Sequence, residues 1–276
     1  MSHRTSTRLY VVLAALVLGA VPAAAQYRPR PMAEMPLSER YRIEGSFGLW
    51  NPTPEMTVTS ESFGVLGTPI DLVNDLGLAK KRLPPMGLTF HPARKHKLRF
   101  EYIPLKYSAE AARLPRDVIF NGQRFRAGTT VDSQLDWKAY RFTYEYDFIS
   151  MSRGFGGFLL DLKATDINLG LQTPTPRLDE FTRLRAPVPA VGGIVRIYLI
   201  PELSVTGEVS GITVPKRDLY DFNGHYADLN IYGTFNVTRN VGAQFGYRSF
   251  DVEAEISNDA GTFTMKGLYF GVVARY

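Results

Sequence analysis

The chain has 276 residues, 45% hydrophobic and 21% charged, with a formal net charge of +5 and no cysteine. Such a composition excludes a disordered or low-complexity chain, and the missing cysteine excludes disulfides, thiolate metal sites and an acylated N-terminal cysteine. A mean hydropathy of −0.13 excludes a bundle of membrane helices, and no Lys/Arg run interleaved with aromatics supports a nucleic-acid partner.

Residues 1–25 read as a secretory signal. Arg4 and Arg8 supply a basic start, Leu9 to Val21 is an apolar run, and Pro22 precedes Ala23-Ala24-Ala25, the small residues a signal peptidase reads. The apolar run is shorter than the ~20 residues of a spanning helix, so cleavage after Ala25 is expected rather than a retained anchor. Residues 26–40, rich in proline and mixed charge, read as a flexible periplasmic leader.

From Tyr41 the texture becomes period-two alternation rich in Tyr, Phe, Val, Gly and Thr, which is strand texture. Strands are predicted near 41–50, 83–91, 97–108, 130–149, 155–170, 184–200, 202–214, 225–238, 240–256 and 262–276. Short connections (92–95, 150–154, Pro201, 238–240) alternate with longer ones (51–82, 109–129, 171–183, 215–224 and 257–261). Tight turns at one end and long loops at the other are the asymmetry of membrane barrels, and an even strand count returns both termini to one side. The segment IDLVNDLGL, within 51–82, is open as a short helix or an extra hairpin, so eight or twelve strands are alternatives to about ten. Prolines 52, 54, 84, 85, 174, 176, 187 and 189 read as strand punctuation, and Pro104 as the site of a bulge.

Each strand has an apolar and a polar face. Tyr140, Phe142, Tyr144, Tyr146 and Phe148 oppose Arg141, Thr143, Glu145 and Asp147, and Val241, Ala243, Phe245 and Tyr247 oppose Gly242, Gln244, Gly246 and Arg248. Five aromatics in a row would crowd a small interior but suit a wall against lipid. The reading is therefore apolar face outward. A soluble periplasmic barrel binding an apolar ligand has the same period, and it predicts Phe142, Tyr144, Phe245 and Phe270 pointing inward.

The chain ends on Gly271-Val272-Val273-Ala274-Arg275-Tyr276. This tail resembles the C-terminal strand of bacterial outer-membrane β-barrel proteins: a Gly, an apolar residue three positions on, and a terminal aromatic. Tyr269 stands where that family usually has a polar residue, and Ala274 is small for its position. The resemblance implies an all-β, closed, antiparallel up-and-down transmembrane barrel over 41–276. It also implies Gly271, Ala274 and Tyr276 as an assembly signal read by the barrel-assembly machinery, and outer-membrane lipid as the surroundings.

With the apolar face outward, the lumen receives Arg42, Glu44, Arg99, Glu101, Arg141, Glu145 and Asp147. It also receives Asp161, Lys163, Arg196, Glu208, Asp228, Arg248 and Arg275. Charges in a low-dielectric wall must be paired, so a structural plug is favoured over a charged pore constriction. The expected role is structural, surface-interacting or a narrow conduit, without cofactor or metal. The enzyme alternative, a lipid or peptide hydrolase, would rest on His225 with Asp221 and Asp228 near the outer rim. His91 and His96 flank a tight turn without a carboxylate for a metal site.

Overall fold

The computed structural model describes residues 39–59, 67–78, 80–120, 122–174, 177–215, 222–256 and 259–276. The predicted signal, the leader as far as residue 38, and Asp221 lie outside them. The described residues contain no α-helix. The strands are β1 (Ile43–Thr59), β2 (Ile70–Asp71), β3 (Met86–Ala93), β4 (His96–Arg113), β5 (Val118–Phe120), β6 (Gln123–Phe125), β7 (Thr130–Met151), β8 (Gly154–Pro174), β9 (Arg177–Ile200), β10 (Leu203–Val214), β11 (Phe222–Asn236), β12 (Val241–Ile256) and β13 (Asp259–Arg275).

Ten of these form a closed antiparallel ring in chain order: β1, β3, β4 and β7 to β13. Closure runs along the whole of β13 against β1, from Glu44↔Arg275 to Thr59↔Ala260. The Tyr276 N–H donates to the Ile43 carbonyl at 2.9 Å, and the Tyr276 carbonyl accepts from the Arg42 and Ile43 N–H groups at 2.7 and 3.0 Å. The last residue thus completes the seam, and no sheet edge is left along β13 for another chain to pair with.

The tight turns fall where alternation placed them, at Arg94–Lys95, Ser152–Arg153, Pro201–Glu202 and residues 237–240. At the opposite end the predicted loops are largely strand. β8 runs to Pro174 and β9 starts at Arg177; β12 runs to Ile256 and β13 starts at Asp259. Prolines hid this extension, yet Pro187 and Pro189 lie well inside β9. They sit where the β9–β10 ladder has already ended, at Val191↔Gly211. The Tyr198 N–H points to the β8 side, at the Arg153 carbonyl, so odd residues of β9 face β10 and these prolines remove donors that have no strand partner there.

The same logic explains Pro52, Pro54 and Pro104. The β1–β3 ladder ends at Phe47↔Met86, and one isolated bridge follows, where the Trp50 and Leu83 N–H groups donate to each other's carbonyls at 2.8 Å. Residues two and four positions beyond Trp50 face the same edge, and they are Pro52 and Pro54. Across the gap the Lys106 carbonyl accepts from Lys81 Nζ at 2.8 Å, so Pro104 also faces the gap, just past the last β3–β4 pair, Met86↔Tyr102. The bulge expected at Pro104 lies instead between Ala109 and Ala112. There Ala111 takes φ 54° and its N–H donates to Asp132 Oδ1 at 2.8 Å.

Between the bulges strand parity holds, but the chemistry of the two faces does not. In the half nearer the tight turns β7 exposes Phe142 (47%) and Phe148 (54%) and buries Thr143 and Glu145 (1% each). Further along the same strand the inward residues are Trp137, Leu135 and Val131, all buried, against outward Lys138, Asp136, Gln134 and Asp132. β12 makes the same exchange, from outward Phe245 and Tyr247 to outward Asp251, Glu253 and Glu255. The apolar-outward reading therefore describes one half of the barrel, and the other half is apolar inside.

That second interior is filled from the 67–85 segment and the β5–β6 hairpin. Ile70, Leu72, Leu76, Leu78 and Leu83 join Val118, Phe120 and Phe125 in one cluster with Trp50, Leu105 and Trp137. IDLVNDLGL is thus not a helix: its first two residues form β2, which pairs antiparallel with β1 at Thr57↔Asp71 and Val58↔Ile70, and the rest is turn. Asp71 Oδ1 accepts the Val73 and Asn74 N–H groups at 2.9 Å each, which turns the chain at once after β2, and Gly77 takes φ 69°. The two fillers are latched together: the Thr68 N–H donates to the Ile119 carbonyl at 2.9 Å, and Arg116 Nη2 to Asp75 Oδ2 at 2.8 Å.

Candidate functional site

The inward positions of the tight-turn half bring the predicted charges together. On one wall Lys97 Nζ bonds Glu145 Oε1 at 2.6 Å and pairs with Asp147 Oδ2 at 2.9 Å. Arg99 donates to Glu145 Oε2 at 3.0 Å and to Glu208 Oε1 at 2.7 Å. Arg248 holds Glu101 through both of its terminal nitrogens, at 2.6 and 3.0 Å, and also reaches Asp228 Oδ2 at 2.8 Å. Arg141 pairs with Asp161 at 2.9 Å and approaches Glu208 and Asp228 at 3.8 Å. Lys163 lies 3.4 Å from Asp228 and 3.5 Å from Asp161. Arg275 closes the set at the seam, donating to Glu44 Oε2 at 2.5 Å and to Asn236 Oδ1 at 2.7 Å.

Position around the ring matters more than pair count. Arg99 on β4 meets Glu208 on β10, four strands away, and Arg248 on β12 meets Glu101 on β4, again four away. In a ring of ten these contacts run nearly across the lumen. A bidentate guanidinium–carboxylate pair fixes both partners in plane, so the Arg248–Glu101 crossing is a rigid strut, while Arg99 reaches Glu208 through a single contact. A cavity of about 110 Å³ lies in the polar lumen, bordered by Lys97, Glu145, Arg196 and Tyr232.

Two members of the network were not foreseen. Lys97 has the parity of Arg99 and Glu101, so alternation could have found it. Glu39 carried no such signal, because it precedes the first strand. It nonetheless enters the lumen, where it accepts from Arg196 Nη1 at 2.5 Å and bonds the Tyr198 hydroxyl. Arg42, expected in the network, is not in it: its side chain is exposed, and it lies before β1 begins, where the alternation does not yet apply.

The other candidate residues do not converge. His225 and Asp228 are three apart on β11 and so lie on opposite faces of the wall. His225 is exposed, with Nδ1 3.0 Å from Thr213 Oγ1, while Asp228 is buried in the ion-pair network. His91 and His96 are likewise separated. His91 packs against the Tyr41 ring at 5.4 Å, whereas His96 Nδ1 lies 2.7 Å from the Tyr144 hydroxyl. Among the described residues no group of three or more His, Cys, Asp or Glu is placed to hold a metal ion. Phe142, Phe245 and Phe270 point outward, against the expectation of a soluble ligand barrel. Gly271 pairs with Gly48 on β1 and Gln244 on β12, Ala274 with Gly45 and Val241, and Tyr276 stands 89% exposed at the rim.

Neither a protein-family model nor a curated protein matches the chain. Among solved structures it is similar to the outer membrane protease OmpT from Escherichia coli, with a TM-score of 0.55 and 6% identity over 85% of this chain and 97% of that one. Weaker likenesses include Ail, the attachment invasion locus protein of Yersinia pestis (TM-score 0.34, 10% identity, 83% of this chain and 99% of that one). Another is the toluene transporter TodX of Pseudomonas putida (0.31, 8%, 94% and 93%). At these identities the likeness concerns the fold alone. The fold is that of bacterial outer-membrane β-barrel proteins, in a ring of ten strands.

Proposed function

We propose that this chain is an integral protein of the bacterial outer membrane, a sealed barrel that anchors a water-facing outer half at the cell surface and does not serve as a solute conduit. The observation that carries this is the pair of cross-lumen contacts, Arg99–Glu208 and Arg248–Glu101. An ion passing through would have to break pairs in which Glu208 and Arg248 are buried, and leaving a buried partner alone costs about 3–5 kcal/mol. The belt of outward Phe, Leu, Val and Tyr in the tight-turn half supports burial in hydrocarbon, where a closed sheet satisfies every backbone group internally.

In this reading residues 1–25 direct export, the tight turns face the periplasm, and lipid contacts the apolar belt. The terminal strand, through Gly271, Ala274 and Tyr276, is the element the barrel-assembly machinery engages. Expression of the full chain beside a form ending at Arg275 tests this. The full chain is expected in the outer-membrane fraction with faster gel mobility unboiled than boiled, and the truncated form at least tenfold less abundant there. Reconstituted in planar bilayers, the full chain is expected to give no porin-sized steps. Recovery from the soluble periplasm, or steady open-pore conductance, would overturn the reading.

A further inference from the structure

On the tight-turn side the apolar belt ends against a rim of one charge sign. Arg94 and Lys95 form the β3–β4 turn, Arg153 lies in the β7–β8 turn, Arg239 in the β11–β12 turn, and Arg42 just ahead of β1; all five are exposed. The one acidic residue in the four tight turns is Glu202. We propose that this rim binds the phosphate headgroups of anionic phospholipids in the leaflet it meets. The proposal rests on the membrane reading above and adds to it the class of lipid that the rim selects.

Three observations carry it. First, the cations stand where headgroups would be. Along β7 the outward apolar and aromatic residues run from Tyr140 to Ile149. Roughly nine steps of ~3.3 Å on a strand tilted about 40° span roughly 23 Å, close to the ~25 Å apolar band of a membrane barrel. The turn carrying Arg153 follows directly, after the exposed Met151. Val237 and Val241 flank Arg239 in the same manner, and Ile43 follows Arg42, each an exposed apolar residue at the end of the belt. Second, no carboxylate of the chain holds these charges. Among the described residues none of the five forms an ion pair, and Arg239 Nε donates to the neutral Asn240 Oδ1 at 3.3 Å. The carboxylates at this end of the lumen are turned inward and matched: Glu39 to Arg196, Glu44 to Arg275 and Asp147 to Lys97. Third, the opposite edge of the belt carries both signs. There Lys106 lies 3.6 Å from Asp136, Lys138 stands opposite Asp166, and Lys266, paired with Ser249, is diagonal to Asp251. Most cations of that edge thus have a carboxylate neighbour, the exposed Lys80-Lys81-Arg82 run apart. A basic residue within a Debye length of an anionic headgroup favours it by about fivefold. Four of the five rim cations are arginine, whose planar fork meets phosphate oxygens in pairs.

The test uses the full chain folded in detergent, with phosphatidylglycerol and phosphatidylcholine of the same acyl chains as probes and native mass spectrometry as the count of bound lipid. Phosphatidylglycerol is expected to be retained about tenfold more tightly at low salt, with most of that preference lost at high salt. This comparison needs no variant. Arg94→Gln, Lys95→Gln, Arg153→Gln and Arg239→Gln combined are expected to bring the two lipids to within about twofold of each other. Lys81→Gln, Lys106→Gln, Lys138→Gln and Lys266→Gln combined, at the opposite edge, are expected to keep at least about half of the preference. Glycerol 3-phosphate, a headgroup without chains, is expected not to displace the bound lipid. Heat-dependent mobility of both variants is checked first, so that loss of the barrel is told apart from loss of the site. A chain that never reaches the membrane fraction would remove the membrane reading itself. Equal retention of both lipids by a folded, membrane-embedded barrel would overturn this proposal alone. So would undiminished preference in the rim variant, an equal loss in the opposite-edge variant, or displacement by glycerol 3-phosphate.

Discussion

The two halves of this barrel share their strands but use them in opposite ways. Near the tight turns, β7 turns Phe142 outward and Glu145 inward; some ten residues earlier on the same strand it turns Gln134 outward and Leu135 inward. The backbone is the same ladder throughout. What differs is the medium each half suits: hydrocarbon outside and matched charge inside for one, water outside and a packed apolar core for the other. Strand alternation is therefore a statement about direction. The sign of the polarity along it reports the surroundings, and here that sign reverses within single strands.

The comparison breaks hardest at the ion pairs. Arg248→Met strands the buried Asp228 and the partly exposed Glu101, and is expected to destabilise the barrel by about 3–5 kcal/mol. Urea unfolding in vesicles measures this. In the outer half, Arg124→Met removes an exposed pair with Asp117 and is expected to leave the same midpoint unmoved. A small loss at Arg248 would mean that water reaches the network and the halves are less distinct than they look.

The outer surface offers a milder contrast. Phe245 and Asp251 lie on the same outward face of β12, on either side of the polarity reversal. Phe245→Arg places a charge against hydrocarbon and is expected to cost about 2–4 kcal/mol if it sits near the bilayer midplane. Asp251→Arg is expected to stay within about 0.5 kcal/mol, as surface changes usually do. Equal costs would remove the membrane boundary from between them.

The smallest effect concerns acid and the fillers of the outer half. Burial pushes the Asp71 carboxyl up, but the Asn74 amides, the Val73 N–H and Arg116 outweigh it and hold it below the ordinary aspartate value. Asp117 is likewise lowered, by the Ala127 N–H and by Arg124. A depressed carboxylate contributes stability that is present above its unfolded value and lost as pH falls through its folded value. Hydrogen exchange at Val73, Asn74 and Ala127 is therefore expected to speed up, after correction for intrinsic rates, below the normal carboxylate range, while Glu145-bearing β7 remains protected. Uniform protection down to pH 3 would show that these carboxylates do not hold the fillers.

Much of this was legible beforehand. The positions of all ten ring strands, the tight turns and the inward parity of Arg99, Arg141, Glu208 and Arg248 follow from period-two alternation. The extended loop-side strands were missed because Pro187 and Pro189 read as punctuation, although β9 tolerates them on an edge its neighbour has left. His225 and Asp228 were grouped by proximity in sequence, when an odd separation on a strand already places them on opposite faces.

By itself the order of residues determined the strands, their antiparallel succession and the direction of each side chain relative to the wall, because these depend on neighbours along the chain. Which charges meet across the lumen, and that Glu39 enters it, depended on closure and register, which bring residues more than a hundred positions apart into contact. The filling of the outer half was decided in the same way: Leu72 and Phe120 find their core only when the ring of strands surrounds them.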